Sequence, residues 1–249
     1  MNEVRIDSLF PSAGPDLSDD TISALYTRDD RSDPWLRVNF VSSVDGAATV
    51  DGVSGGLGGE ADHRVFDLLR ELCDVVIVGA GTVRGEGYGP MVVPQPSADR
   101  RVSRGLPPHP VFAIVSNRLD LDPASRIFTE APVRPIVVTT DAAPGDRRDA
   151  LAAVADIVIA GDSQLDPAIL VASLAARGLT QQHCEGGPSL FGSMLAAGVV
   201  DELCLTVSPQ LVAGDAGHIV AGTVGSPRAL SLGHVLASGD TLLLRYELH

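Results

Sequence analysis

Residues 74–81 read DVVIVGAG: an acidic residue, four uninterrupted apolar β-branched residues, then Gly-Ala-Gly. The run is too short for a buried helix and too apolar for a strand with one wet face. It suits a strand covered on both sides, which in practice means a parallel sheet between layers of helices. Similar runs recur along the chain as WLRVNFV from Trp35, VFAIVS from Val111, PIVVTT from Pro135, DIVIAG from Asp156 and ELCLTVSP from Glu202. Helix-period segments stand among them. EADHRVFDLLREL places Val65, Phe66, Leu69 and Leu72 on one side; GDRRDALAAVA follows; DPAILVASLAARG closes at Gly178, and SLFGSMLAAG at Gly198. Alternating strands and helices predict an α/β fold with a mainly parallel sheet. The helix-free ending, TLLLRYELH, predicts antiparallel strands at the C-terminus.

Two stretches stand apart. Residues 1–33 are acidic and punctuated by Pro and Gly, with one short helix expected at Ser18–Tyr26, where Ser18 caps and Ile22, Leu25 and Tyr26 share a face. They read as an N-terminal arm packed on a domain spanning 34–249. Residues 85–110, rich in Gly and Pro, read as a long loop of the kind that forms lids.

Charge narrows the partners. A formal net charge of −14 over 249 residues opposes binding to nucleic acid or to an anionic membrane. No segment reads as a signal peptide or a membrane span, so a cytoplasmic protein with a small-molecule partner is expected. All 18 basic residues are arginine. Without lysine, Schiff-base and P-loop chemistry are excluded, and any phosphate must be met by arginine, backbone N–H or a helix dipole. Cys73, Cys184 and Cys204 form no CxxC pair and read as buried thiols, and the six histidines show no metal-ligand spacing, so no metal is expected. His183, inside a strand-like segment, reads as a satisfied core histidine.

Four segments carry candidate chemistry, each with a plainer structural reading beside it. In VIVGAGTVRGEG the Rossmann pattern fails, because Arg84 stands where the third glycine belongs. What remains is either a tight strand-to-helix turn or a ligand-facing edge made by Gly79, Gly81, Thr82 and Arg84. SSVDG offers Asp45 as a turn former or as a carboxylate for a heterocycle. In IVSNR, Ser116, Asn117 and Arg118 either solvate a loop or clamp a monophosphate. CEGGPSLFG combines Glu185 with Gly186, Gly187 and Pro188, which is either turn chemistry with proline at the first helical position or an anion cradle at a helix N-terminus.

Taken in order, NFVSSVDGAAT, VIVGAGTVRGEGYG and CEGGPSLFGSMLAAGVVDELCLTVSPQLVAG resemble the reductase domain of the riboflavin-biosynthesis deaminase–reductase family, over about Trp35 to His249. The closest likeness is to its stand-alone actinobacterial members. The resemblance implies a three-layer α/β/α domain of dihydrofolate reductase-like fold, commonly homodimeric, that binds NADPH. By motif, Gly79, Gly81, Thr82, Arg84, Gly186, Gly187, Ser189 and Leu190 would line the cofactor, and Ser116, Asn117 and Arg118 would meet its 2′-phosphate. Ser43, Asp45, Thr49, Glu86, Tyr88 and Glu185 would face the substrate, with Asp45 and Glu185 as catalytic candidates. The implied reaction is hydride transfer to the sugar C1′ of a ribosylamino-pyrimidine phosphate. Reduction of dihydrofolate or another pterin is the alternative on the same fold, and a non-catalytic NADPH-binding module ranks below it. Two departures bear on the substrate: Ala47 follows SVDG where a basic residue is common, and GEGYG replaces DNP. Arg64, Arg100, Arg101 and Arg104 are therefore the candidates for holding a sugar phosphate.

Overall fold

A computed structural model of the chain describes residues 4–222 and 225–249. Its strands are β1 (Asp7–Phe10), β2 (Trp35–Ser43), β3 (Val75–Gly79), β4 (Val111–Val115), β5 (Ile136–Thr139), β6 (Asp156–Ile159), β7 (Gln181–Cys184), β8 (Glu202–Ser208), β9 (Leu230–Ser238) and β10 (Thr241–Leu248). They form one sheet in the order β1-β9-β10-β8-β2-β7-β3-β4-β5-β6. From β8 to β6 every pairing is parallel. β10 against β8, β9 against β10 and β1 against β9 are antiparallel.

The helices are α1 (Asp19–Tyr26), α2 (Glu60–Leu72), α3 (Ala80–Gly85), α4 (Gln95–Ser103), α5 (Arg126–Thr129), α6 (Gly145–Ala152), α7 (Pro167–Ala175) and α8 (Pro188–Ala196). Alternate residues of β3 show why its run had to be wholly apolar. Val75 and Ile77 enter a cluster with Leu170 and Leu174 of α7 and Phe191 and Met194 of α8. Val76 and Val78 enter another, with Val83 of α3, Phe128 of α5 and Leu151 of α6. A third cluster joins α1, α2 and the antiparallel strands through Ile22, Tyr26, Leu69, Leu236 and Leu243. Helices thus cover both faces, giving the three layers expected.

Three local expectations change. The N-terminal segment does more than pack on the body, because β1 extends the sheet along β9 and Ile6 is fully buried. Within it, Ser18 caps α1 as expected, accepting the Thr21 N–H at 3.3 Å. The stretch 85–110 is not all loop, since α4 forms within it. That helix has no apolar periodicity to betray it; it is held by Arg101, fully buried, which donates to the carbonyls of Arg70, Glu71 and Cys73 and so neutralises the C-terminal end of α2. Third, Phe66 leaves the core face of α2, where Val65, Leu68, Leu69 and Leu72 are buried, and turns with Arg70 toward a cavity. Among the described residues no helix is long and apolar enough to cross a membrane.

Candidate active site

At the carboxyl ends of β3 and β7, which are neighbours in the sheet, the chain leaves in opposite directions. After Gly79 it enters α3, packed on one face; after Glu185-Gly186-Gly187 it enters α8, packed on the other. Such a reversal opens a crevice, the usual ligand site of open α/β sheets. The two strand ends are tied by the Gly79 N–H donating to the Gly186 carbonyl at 2.8 Å. Glycine is required in this cradle: a methyl group at Gly187 would lie 2.4 Å from Thr82 Oγ1, whereas the space above Gly81 and Gly85 is open. Pro188 occupies the first turn of α8, and Gly187 provides no side-chain cap, leaving the helix end to meet an anion with backbone N–H groups.

Cations gather beside this crevice. Arg84 donates to the Asp120 carbonyl at 3.0 Å, and Arg147 of α6 donates to the Arg118 carbonyl at 3.1 Å. Two arginine side chains therefore brace the 118–120 turn that follows β4, and Arg118 is itself part of that turn. Asn117 and Arg118 are exposed there, while Ser116 is buried, its N–H bonded to Val138. Ser189 is exposed, and the Leu190 side chain is in the core, so only its backbone can serve a ligand. A glycine cradle, an uncapped helix N-terminus and flanking guanidinium groups fit a dinucleotide carrying an extra monophosphate.

Adjoining the crevice is a cavity of about 440 Å³, lined among others by Asn39, Phe40, Thr49, Ser54, Asp62, His63, Phe66, Arg70, Thr82, Glu86, Tyr88, Glu185 and Gly187. Its size suits one small organic ligand. Glu185 is the most constrained group in it. Its carboxylate accepts a bidentate pair from Arg70, at 2.6 and 2.7 Å, and a third bond from the Tyr88 hydroxyl at 2.9 Å. Burial opposes the Arg70 charge, but the Glu185 carboxylate more than offsets this and the guanidinium pKa rises. Burial, reinforced by the same carboxylate, holds the Tyr88 hydroxyl firmly protonated. Two carboxylate oxygens have room for about four hydrogen bonds, so Glu185 retains acceptor capacity for a ligand.

Behind it lies His183, fully buried, with Nε2 3.7 Å from Glu185 Oε1. It is a core histidine as expected, yet neither ring nitrogen makes a hydrogen bond among the described residues. Burial pushes its pKa down to about 4, so it is neutral under ordinary conditions.

Of the residues expected at the substrate, Thr49, Glu86, Tyr88 and Glu185 line the cavity; Ser43 and Asp45 do not. Asp45 is exposed, and its carboxylate accepts from the Ser43 hydroxyl and from the N–H groups of Ala213 and Val212. These bonds, Ser43 first, hold it down to about 2. Ser43 in turn accepts the Ala47 N–H at 2.9 Å. The pair fastens the turn after β2 to the segment after β8, so in this structure Asp45 anchors that turn and stands outside the cavity wall. Arg64, Arg100, Arg101 and Arg104 do not line the cavity either. Arg64 is bound to Asp19 and to the carbonyls of Val4 and Leu17, Arg100 to Glu71, Arg101 to α2, and Arg104 lies 3.6 Å from Glu71. Reading the sequence missed Asp62, His63 and Arg70. Their signal was available, since 62, 63, 66 and 70 form one stripe of α2 beside its core face.

The family described as the RibD C-terminal domain matches residues 34–244. The 2,5-diamino-6-ribosylamino-4(3H)-pyrimidinone 5′-phosphate reductase of Methanothermobacter thermautotrophicus is 29% identical over 219 residues, which cover 86% of this chain and 97% of that one. The riboflavin biosynthesis protein RibD of Mycobacterium tuberculosis is 25% identical over 183 residues, 73% of this chain and 44% of that protein. Among solved structures, a pyrimidine reductase-like protein from Corynebacterium diphtheriae superposes with a TM-score of 0.79 at 29% identity, covering 87% of this chain and 92% of that one.

Proposed function

Because the chain belongs to the family of the RibD C-terminal domain, we propose that it is an NADPH-dependent reductase of a ribosylamino-pyrimidine 5′-phosphate, the substrate class for which its relative from Methanothermobacter is named. The observation that carries this reading is the junction of the glycine crevice with the cavity floored by Glu185. A reduced nicotinamide, when bound, would supply a hydride for C1′ of the opened sugar imine while the imine nitrogen takes up a proton, leaving a ribitylamino product. Gly79, Gly81, Thr82, Gly186, Gly187 and the N–H groups of Ser189 and Leu190 would hold the diphosphate. Ser116, Asn117, Arg118 and Arg84 would meet the 2′-phosphate; a charge-assisted contact of this kind is worth about 1.5–3 kcal/mol.

The remaining work falls to the cavity. Glu185, oriented by Arg70 and Tyr88, accepts hydrogen bonds from the amino groups of the heterocycle, and Thr49 and Asn39 offer further polar contacts. Phe40 and Phe66 supply apolar wall and limit water around the reacting carbon. The enzyme acts with no resident metal in this reading, and a homodimer in the cytoplasm is the expected state.

Absorbance at 340 nm tests the proposal, with NADPH or NADH and either the ribosylamino-pyrimidine or dihydrofolate as acceptor. Oxidation of NADPH with the pyrimidine, faster than with NADH, is the expected result. Oxidation with dihydrofolate alone would reassign the site to pterins. Oxidation with neither would leave a nucleotide-binding site without this reaction.

A further inference from the structure

Reduction of the C1′ imine needs a proton at nitrogen as well as a hydride at carbon, and a donor for that proton must stand in the cavity. Most titratable groups on the wall are already committed. Glu185 accepts two bonds from Arg70 and one from Tyr88, which makes it an acceptor toward any ligand. The Tyr88 proton is spent on that carboxylate, and burial holds it on its own oxygen. Glu86 accepts the Ser54 N–H at 2.8 Å, and His63 is exposed to solvent.

Asp62 differs from all of them. It lies in the first turn of α2, and Asp62, Phe66 and Arg70, each about one turn apart, form the stripe of that helix that lines the cavity. Although it faces the cavity, Asp62 is only 8% exposed. The glycine-rich loop before α2 passes close over its carboxyl, where a methyl group at Gly58 would lie 2.8 Å from Oδ2. Among the described residues no arginine acts on it. Burial pushes its pKa up, and a hydrogen bond from Thr206 of β8 and the charge of His63 offset this only in part. Of the two buried carboxyl groups on this wall, one is ringed by donors and the other is shielded without a cation. That contrast divides the roles of acceptor and acid between them.

We propose that Asp62 is a catalytic residue of this reductase, the general acid that protonates the ribosylamino nitrogen as hydride reaches C1′. The inference rests on the reductase reading above and supplies the source of its proton. As the new C1′–H bond forms, the π pair of C1′=N moves to nitrogen. The Asp62 O–H bond breaks and its proton joins that pair, so the imine is reduced to an amine while NADPH is oxidised to NADP⁺. The carboxylate left behind recovers a proton from water once the product departs. Glu185 meanwhile holds the amino groups of the heterocycle.

Initial rates of NADPH oxidation with the ribosylamino-pyrimidine 5′-phosphate, measured across pH for the full chain and its variants, test this. In the wild type, kcat/KM is expected to fall as pH rises past the pKa of one acid. Asp62→Asn should lose about 10²–10⁴-fold in kcat, keep KM and NADP⁺ affinity within about threefold of wild type, and lack that limb. Asp62→Glu should restore part of the rate. Thr206→Val removes a hydrogen bond that favours the ionised carboxyl, and should move the limb to higher pH. A readout free of turnover accompanies these. The infrared difference between the wild type and Asp62→Asn, both without nucleotide, should show a protonated carboxyl that is lost over the same pH range. A fall in kcat of less than about threefold in Asp62→Asn, a change in KM alone, or a limb that survives the substitution overturns the proposal while the reductase reading stands. Where Asp62→Asn does not fold, an unmoved limb in Thr206→Val overturns it equally. If the wild type oxidises no NADPH with the pyrimidine, that reading falls and the proposal with it.

Discussion

Glu185 shows how much of a site depends on what holds a single side chain. Arg70 of α2 reaches it from 115 residues away, and Tyr88, in the loop after α3, from 97. Bidentate pairing fixes the plane of the carboxylate, and the Tyr88 hydroxyl adds a second donor to one of its oxygens. Glu185→Gln would set an amide N–H₂ against the Arg70 donors and disrupt this arrangement. It is expected to lower kcat/KM by about 10²–10⁴, with the loss mainly in kcat if the group assists proton movement. Asp45→Asn should act first on thermal stability, because that carboxylate serves Ser43 and the N–H groups of Val212 and Ala213. Steady-state kinetics and melting curves on the two variants separate the roles; a full loss of turnover in Asp45→Asn with its melting point unchanged would return Asp45 to the chemistry. Both acids were visible in the sequence as carboxylates at strand ends. What distinguished them was invisible there, because exposure and bonding partners arise only when remote segments meet.

At the scale of elements, the crevice depends on β3 and β7 sending α3 and α8 to opposite faces. The glycine-rich strand ends were legible because glycine leaves so few explanations once a helix follows immediately. Gly187→Ala puts a methyl group 2.4 Å from Thr82 Oγ1, at the center of the cradle. Equilibrium binding should show NADPH affinity reduced by about tenfold or more, as expected when a cofactor or its support must shift. Unchanged affinity would mean that the diphosphate lies elsewhere. By contrast α4 and β1 were not legible as elements. α4 has a polar sequence punctuated by proline and is stabilised by the buried Arg101 capping α2, a contact with no periodic trace. β1 is a short edge strand whose partner, β9, lies more than 200 residues away.

The whole molecule carries a pH dependence written in its interior. Burial lowers His183 and His234 from 6.5 to about 4 each, so the unfolded chain binds more protons than the folded one between those values. Stability contributed by keeping them neutral is complete above about pH 6.5 and is lost as pH falls toward 4, each group adding a slope of at most about 1.4 kcal/mol per pH unit. Glu202 acts lower. Burial opposes its charge, but Arg37 and Arg245 outweigh it and hold the carboxyl near 2, so its contribution fades from about 4.5 downward. Melting curves across this range should steepen in two stages, and His183→Gln should flatten the first; an unchanged slope in that variant would show that His183 is not a buried neutral group. The layered sheet itself was the most legible feature, because strands such as β3, apolar at every position, admit few alternatives to burial on both faces.

In the proposed reaction a nicotinamide in the crevice delivers hydride to a sugar carbon in the cavity. Incubating the protein with NADPH deuterated at C4, in each of its two stereochemical forms, and the ribosylamino-pyrimidine tests it directly by mass spectrometry. The expected ribitylamino product carries one deuterium at C1′ from one form and none from the other. A product unlabelled by both forms, or no product at all, would contradict it.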